Sequence, residues 1–583
     1  MHPLKREWRY LSGLVRTLLR VRSIAPGSAN LATDDLEAAV DQHRERPAIR
    51  FQTRQLSYGA MDDLANRYAH WALARGLRPG ETVAVLLPNR LEYLPLWFGL
   101  SKVGVVAALI NNQLTGEALR HCLELSGAQL AVVDASTAGA FTAAARGGIR
   151  SWDLDRDLGA AAAALSAARP AKSARGGMTA SDTCLLIYTS GTTGLPKAAR
   201  INHMRAQLYM RGFAGATGAR PSDRLYLTLP LYHATGGLCA AGAALLNGAC
   251  LLVRDSFSAS HFWDEIRAEA ATIFVYVGEL CRYLVNQPRA ASERAHSLRL
   301  AFGNGLSRDI WGEMEDRFAV PRILEFYGST EGNVYLFNFD GGHGAVGRIA
   351  PYLAPMFNVT LARFDVETEA PVRGPGGRCV ACAPGEVGEC LGAIHGDARS
   401  AFSGYVDKAA SEQKVLRNAF RKNDAWFRTG DLMTRDRQGY FYFVDRIGDT
   451  FRWKGENVST HEVAQTLLTA PGVMEAVVYG VTVPAHEGRA GMAALVTSAE
   501  FSLQDLRRVV EKALPAYAQP LFLRLMPQLS ITGTFKPLKT ELTAQGFDPA
   551  KVSGPLYLHS RELGFVPLGQ AVFDLIESGE ARL

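Results

Sequence analysis

The sequence predicts an α/β protein in two parts, a large multi-layer α/β N-terminal domain followed by a small α+β C-terminal domain. Three observations lead there. A chain of 583 residues is long enough to split into two or more domains. Between residues 61 and 277 short apolar runs alternate with helical periodicities, which implies α/β layers rather than a bundle or a sandwich. The pattern then changes across residues 431–449, and the stretch after it carries strand and helix signals of its own.

Taken in order, the first element is a basic amphipathic helix over residues 1–26. Leu4, Trp8, Leu11, Val15 and Leu18 repeat at helical spacing, among Lys5, Arg6, Arg9, Arg16, Arg20 and Arg22 with Glu7 the lone acid. Such a helix either lies in a lipid interface or docks on its own domain with a solvated basic face. Residues 27–445 form the large domain. A helical pattern spans 61–74; strands are expected at 82–87, 130–133, 185–188, 225–229 and 273–277, with a helix at 261–269. The apolar stretch 94–110 contains Lys102 and reads as a buried helix and strand, not a membrane span. A strand at 439–444 leads to a hinge at 446–449, where Gly448 accepts large backbone rotations. Residues 450–583 make the small domain.

Composition narrows the function classes. Apolar content of 48% with 21% charged residues is ordinary for a globular protein, and a net charge of +6 does not argue for nucleic acid. Eight cysteines without scaffold spacing, and no cleavable signal, fit a reducing cytoplasm. Cys379, Cys382, Cys390 and His395 are too irregularly spaced for a zinc site.

The strongest local signal is the turn Tyr188-Thr-Ser-Gly-Thr-Thr-Gly-Leu-Pro-Lys197 after an apolar strand. Its glycines let backbone N–H groups approach phosphate oxygens, its hydroxyls add donors, and its lysine adds charge. It is not a Walker loop, because Leu195-Pro196 precede the lysine and no Ser or Thr follows it. Far downstream, Ile531-Thr-Gly-Thr-Phe-Lys536 offers a second cation. Either segment alone is explicable as a turn.

The first turn resembles the phosphate loop of the adenylate-forming superfamily, which includes acyl-CoA synthetases, peptide-synthetase adenylation domains and luciferases. Further segments resemble that superfamily in order: Pro230-Leu-Tyr-His233, Phe302-Gly303-Asn304-Gly305, Tyr327-Gly328-Ser-Thr330-Glu331, Thr429-Gly-Asp431, Arg446 and the Lys536 segment. Asp449-Thr-Phe-Arg452-Trp-Lys-Gly455-Glu-Asn-Val-Ser-Thr460 is similar to the signature of the fatty acid transport protein / very-long-chain acyl-CoA synthetase family.

That resemblance implies ATP, Mg²⁺ and CoA as co-substrates and a fatty acid as the group activated through acyl-AMP. Tyr188, Thr189, Ser190, Gly191, Thr192, Thr193, Gly194 and Lys197 would cradle phosphates. Gly303, Asn304, Gly305, Tyr327 and Gly328 would surround adenine, with Asp431 on the ribose and Arg446 beside the hinge. Thr192 and Glu331 would hold Mg²⁺, Thr330 the α-phosphate, and His233 would border the acyl group. Lys536 would bridge carboxylate and α-phosphate. The small domain is then expected to be mobile, swinging Lys536 away and bringing Arg452 and Gly455 to the site for thioester formation. The small residues after His233 would leave an apolar tunnel, since the chain lacks the tryptophan gate that some relatives place near Gly237. The resemblance leaves open a CoA ligase for a sterol side chain, bile or aryl acid, a fatty acid uptake protein, and a homodimer. The cysteine usage and the basic N-terminal helix together lead to the expectation of a cytoplasmic protein, or one peripheral at the inner face of the membrane. Family members often carry a membrane-spanning N-terminal segment; here only the amphipathic stretch stands in its place.

Overall fold

Two largely parallel sheets organise the N-terminal part. The computed structural model describes residues 3–581 apart from 190–194, 367, 398, 455, 485, 487 and 533–537, with the side chain of Ala291 also left out. One sheet runs in the order Arg150–Asp153, Leu130–Val133, Thr82–Leu86, Val106–Leu109, Thr183–Thr189 and Lys197–Asn202. All its neighbours are parallel except the last strand, which folds back on Thr183–Thr189. The other runs Leu336–Asn338, Ile323–Tyr327, Leu300–Asn304, Ile273–Val277, Arg224–Leu227, Cys250–Val253, Pro47–Phe51 and Arg54–Ser57, antiparallel only at its two edges. Parallel strands covered on both faces read as continuous apolar runs, which is why the sequence marks them clearly.

Lys102 shows how the core tolerates a charge. It ends the buried helix Tyr93–Lys102 and is 3% exposed, yet its ammonium meets Asp62 at 2.5 Å and Glu37 at 2.6 Å. A buried charge needs such partners. The run 94–110 is therefore a helix and the strand Val106–Leu109, as its composition predicts.

Two helices frame the site. Helix α1 (Pro3–Val21) lies along helix α2 (His203–Thr217), and glycines set their distance. A Cβ on Gly215 would meet Thr17 Cα and the Arg16 carbonyl, and one on Gly13 would strike the Phe339 ring. Tyr10 accepts a hydrogen bond from Ala350 N at 3.1 Å, and Glu7 pairs with Arg348 at 2.8 Å. Docking splits the apolar stripe expected from the sequence. Leu11 and Leu18 are half-buried, while Leu4 (75%), Trp8 (72%), Val15 (51%) and Leu19 (54%) stay exposed. Among the described residues, no helix is long and apolar enough to cross a membrane.

A third, antiparallel sheet includes Val359–Asp365, Gly388–Ala393, Ala425–Arg435 and Tyr440–Arg446. Past the turn at 447–449, residues from Phe451 to Ile576 pack a hydrophobic core of their own. It surrounds a five-stranded sheet, Val473–Val481, Ala490–Thr497, Phe522–Leu525, Leu556–Ser560 and Gly564–Pro567. Asp445 accepts from Thr460 N at 2.5 Å, and Lys539 Nζ bonds Asp449 at 2.9 Å. Polar contacts thus flank the turn on both sides.

The small residues after His233 have a steric role. A Cβ on Gly236 or Gly237 would strike the carbonyl of Pro230 or Leu231, and one on Gly242 would strike Met210 Cα of α2. The expected tunnel is replaced by close backbone packing. Gly242→Ala should therefore cost about 1–3 kcal/mol by overpacking. Gly139→Ala, on a helix where a Cβ meets open space, should be neutral or stabilising by up to ~1 kcal/mol. Thermal unfolding of both variants checks this, and equal shifts would contradict the packing.

Candidate active site

Residues 190–194 fall between two strands whose register pairs Thr189 with Lys197. Ser190, Gly191, Thr192, Thr193 and Gly194 themselves lie outside the described residues. Tyr188 points into the core, where its hydroxyl donates to the Cys122 carbonyl at 2.9 Å, so only its backbone is left to face a ligand. Thr189 Oγ1 lies 3.5 Å from the Lys197 carbonyl. Lys197 Nζ stands 5.8 Å over the ring of Tyr405, and the Tyr405 hydroxyl donates to Glu331 at 2.7 Å. Tyr405 thereby joins the basic end of the first motif to the acidic end of another.

Helix α2 begins where that hairpin ends, with Asn202 Oδ1 capping Arg205 N at 2.8 Å. In that first turn, the buried Arg205 guanidinium donates to the carbonyls of Thr330 (3.4 Å), Gly332 and Ala401 (3.1 Å) and to the Tyr335 hydroxyl (2.9 Å). Tyr209 donates to the Ser329 carbonyl at 2.7 Å. The irregular segment after strand Ile323–Tyr327 is thus held from α2 by side chains, not by a sheet ladder.

The Tyr327 hydroxyl donates to Asp431, and Arg446 Nε lies 3.9 Å from the same carboxylate. Burial first, then the Asp431 charge, raise the Tyr327 pKa and keep its proton in place. Asp431 and Arg446 are also register partners on neighbouring strands.

Gly303 and Asn304 end strand Leu300–Asn304, and Gly305 turns the chain at φ +81°. A Cβ on Gly303 would strike the Tyr276 carbonyl. Beneath them lies Glu325, whose carboxyl accepts from Leu306 N at 3.0 Å and from the Tyr276 hydroxyl at 2.5 Å. Burial pushes this carboxyl up to about 8, against the lowering effect of its hydrogen bonds. It is mostly protonated at neutral pH.

His233, Tyr327, Gly328 and Thr330 line one cavity, with Tyr209, Phe213, Cys239, Phe326 and Phe337 among its walls. Its volume is about 40 Å³, room for one or two waters. Arg452 stands apart on the small hairpin of the C-terminal unit, where its carbonyl accepts from Arg489 N at 2.7 Å. Gly455 and Lys536 lie outside the described residues. Cys382 and Cys390 pack in one apolar cluster and Cys379 in another, and among the described residues no group of three His, Cys, Asp or Glu could hold a metal.

Sequence reading missed four residues here. Glu325 leaves a signal, a carboxylate inside the apolar strand Ile323–Tyr327. Arg205 and Tyr209 look like ordinary helical residues, and Tyr405 lies in an irregular segment with nothing to mark it.

Residues 36–406 match the model of the family described as AMP-binding enzyme, and 462–536 that of the AMP-binding enzyme C-terminal domain. The Homo sapiens protein named long-chain fatty acid transport protein 3 is 42% identical over 524 residues, 87% of this chain and 76% of that one. The medium/long-chain-fatty-acid–CoA ligase FadD6 of Mycobacterium tuberculosis (strain ATCC 25618 / H37Rv) is 40% identical over 536 residues, 90% of this chain and 87% of its own. An ATP-bound RpMatB-BxBclM chimera superposes with a TM-score of 0.75 at 25% identity, covering 88% of this chain and 99% of that one. A Mycobacterium tuberculosis fatty acyl CoA synthetase gives 0.63 at 25% identity over 88% and 98%.

Glu325 generates a pH prediction. A carboxyl raised from 4.5 to about 8 on folding binds more protons in the native state between those values. Its contribution to stability is full below about 4.5 and lost as pH rises through about 8. Glu325→Gln keeps the protonated shape without the titration. Melting temperatures from pH 6 to 9 (roughly the window in which this group titrates) should fall more steeply for wild type than for Glu325→Gln; parallel curves would contradict the protonated carboxyl.

Proposed function

Because this chain belongs to the AMP-binding enzyme family, we propose that it is a long- or very-long-chain fatty acid–CoA ligase. As an AMP-forming acyl-CoA synthetase it joins a carboxylate to the α-phosphate of ATP, releasing pyrophosphate, and then passes the acyl group to CoA with release of AMP. The observation that carries the reading is the convergence of His233, Tyr327, Gly328 and Thr330 on one cavity, with Asp431 tied to Tyr327. The relatives named as fatty acid transport proteins and as a fatty acid–CoA ligase support the acid proposed.

In this reading two anions must meet, so the site supplies oriented donors and cations where charge builds up. Lys197 and the turn before it receive the phosphates, Thr330 the α-phosphate, and Asp431 the ribose hydroxyls. The Tyr327 ring lies against adenine beside Gly303, Asn304 and Gly305. Glu331 offers the hard oxygen that Mg²⁺ prefers, with Thr192 as a second ligand, and the ion would neutralise phosphate charge. Lys536 serves the first half-reaction. Rotation about 446–449 then brings Arg452 and Gly455 forward for the thiol. A cavity of about 40 Å³ is too small for an acyl tail, so the tail enters by displacing the aromatic side chains that line it.

We also propose that the protein works at the inner face of the membrane, resting there on the exposed stripe of α1. Its apolar residues and basic neighbours suit a lipid interface.

Purified protein given lauric to stearic acids should release AMP and pyrophosphate and form thioesters only with CoA present. Turnover confined to sterol, bile or aryl acids would overturn the acid assignment. Lys536→Ala should lower adenylate formation by ~10²-fold or more. The same variant should still convert a supplied acyl-adenylate and CoA to thioester. Equal loss of both steps would remove the domain-rotation reading.

A further inference from the structure

A flank of α1 away from the residues of the site just described concentrates charge. A cavity of about 480 Å³ opens between α1 and the segments around 315–343, lined by Arg6, Arg9, Glu315, Arg322, Asp340 and His343. Its carboxylates are already engaged. Glu315 pairs with His343 at 3.0 Å, and Asp340 with Arg348 at 3.1 Å and Arg6 at 3.6 Å.

The remaining arginines are not balanced in this way. Arg322 donates to the Ala216 carbonyl at 3.4 Å and Arg16 to the Gly215 carbonyl at 3.3 Å. Among the described residues, neither these two nor Arg9 forms an ion pair. Burial, then the charges of Arg16, Arg9 and Arg299, pull the Arg322 guanidinium down to about 10. Arg16 is lowered too, by burial and then by Arg299. Of these, Arg9 and Arg322 line the cavity, and cations that repel one another are stabilised by an anion placed between them.

The neighbouring surface says which anion. Arg9 follows Trp8 and Arg16 follows Val15, so each lies about 100° around the helix from the exposed apolar stripe. Cationic edge and apolar stripe are therefore adjacent on one helix. A molecule with a phosphate at one end and hydrocarbon at the other matches both.

We infer that Arg9 and Arg322 on the cavity wall seat the phosphate of an anionic phospholipid headgroup, with Arg16 adding positive charge beside Arg322 and the acyl chains along Leu4, Trp8, Val15 and Leu19. This rests on the reading that α1 lies on a membrane, and it adds a discrete headgroup site to a general attraction. It also relates the membrane to the acyl cavity. Gly215 of α2 faces α1, while Tyr209 and Phe213 of α2 face the cavity, so a single helix separates the two.

The test is co-sedimentation of the full chain with phosphatidylcholine vesicles, with and without phosphatidylglycerol. Arg9→Gln/Arg322→Gln is compared with Lys5→Gln/Arg22→Gln, which removes the same charge from α1 and the residue just beyond it, outside the cluster. The cluster variant should bind phosphatidylglycerol vesicles about 10-fold or more weakly than that control. Trp8→Ser/Leu19→Ser should weaken binding to both vesicle types. Equal loss in the two charge variants would mean uniform attraction and overturn the discrete site, as would wild-type binding by the cluster variant. If wild type ignores both vesicle types, the membrane reading of α1 fails, a result distinct from the previous two. Inorganic phosphate alone supplies the last arm. If it raises the melting temperature of wild type but not of the cluster variant while vesicles stay unbound, the site takes free phosphate and the lipid assignment falls. Melting curves of each variant in buffer establish folding, and removing a mutually repelled guanidinium should leave them unchanged.

Discussion

The site depends on one buried cation. Arg205 is 3% exposed and its guanidinium is held by carbonyl oxygens and a tyrosine hydroxyl, with no ion pair among the described residues. Its five donors fan out in a plane, so one side chain can hold segments around 330 and 401 that share no strand pairing with α2. The charge is stabilised by dipoles and not cancelled by a carboxylate. Positive potential therefore persists beneath the Thr330–Glu331 segment, where a polyanionic nucleotide gains from it. Lysine would bring charge without the planar fork and could not make the same set of bonds.

Glu325 solves the opposite problem. The loop after Gly303 needs acceptors below it, and an ionised carboxylate would supply them together with a negative charge that repels phosphate. Burial raises the cost of the charged form and leaves a neutral carboxyl in its place. Beside it, Tyr327 and Asp431 divide the roles differently: the tyrosine keeps its proton and the aspartate accepts the hydrogen bond it makes. The protons on Glu325 and Tyr327 are thus held by burial before any ligand arrives.

The sequence disclosed what repeats or punctuates and concealed what is made by tertiary packing. Strands such as Thr82–Leu86 and Leu130–Val133 were legible because, Thr82 apart, every position is apolar and buried. The glycine- and hydroxyl-rich runs before Lys197 and Lys536 stand out by composition, since close backbone approach to a ligand favours those residue types, but their central residues, 190–194 and 533–537, lie outside the described ones. Arg205, Tyr209 and Tyr405 were not, since their partners are backbone carbonyls or a carboxylate distant in the chain, and a carbonyl has no sequence signature. The segment after His233 misled for a related reason. Small residues are required equally by an open tunnel and by a close helix crossing, and only the neighbouring backbone at Leu231 and Met210 decides between them. The stripe on α1 was half right: its period predicts a helix, but the period does not say which edge docks.

Helix α2 then couples functions that its sequence keeps separate. Its first turn carries Arg205, its middle carries Tyr209 and Phe213 at the cavity, and its glycines admit α1 on the other side. Phe213 packs edge-on against Phe326 and Phe337, whose ring centroids lie 4.6 and 5.3 Å away. Tyr209 both lines the cavity and holds the Ser329 carbonyl. A tail that displaces these rings must therefore pull on the helix that braces the segment before Glu331. Close-packed interiors shift between discrete arrangements rather than deforming smoothly. Displacement of these rings and the posture of the Thr330–Glu331 segment are consequently linked through Tyr209 and α2.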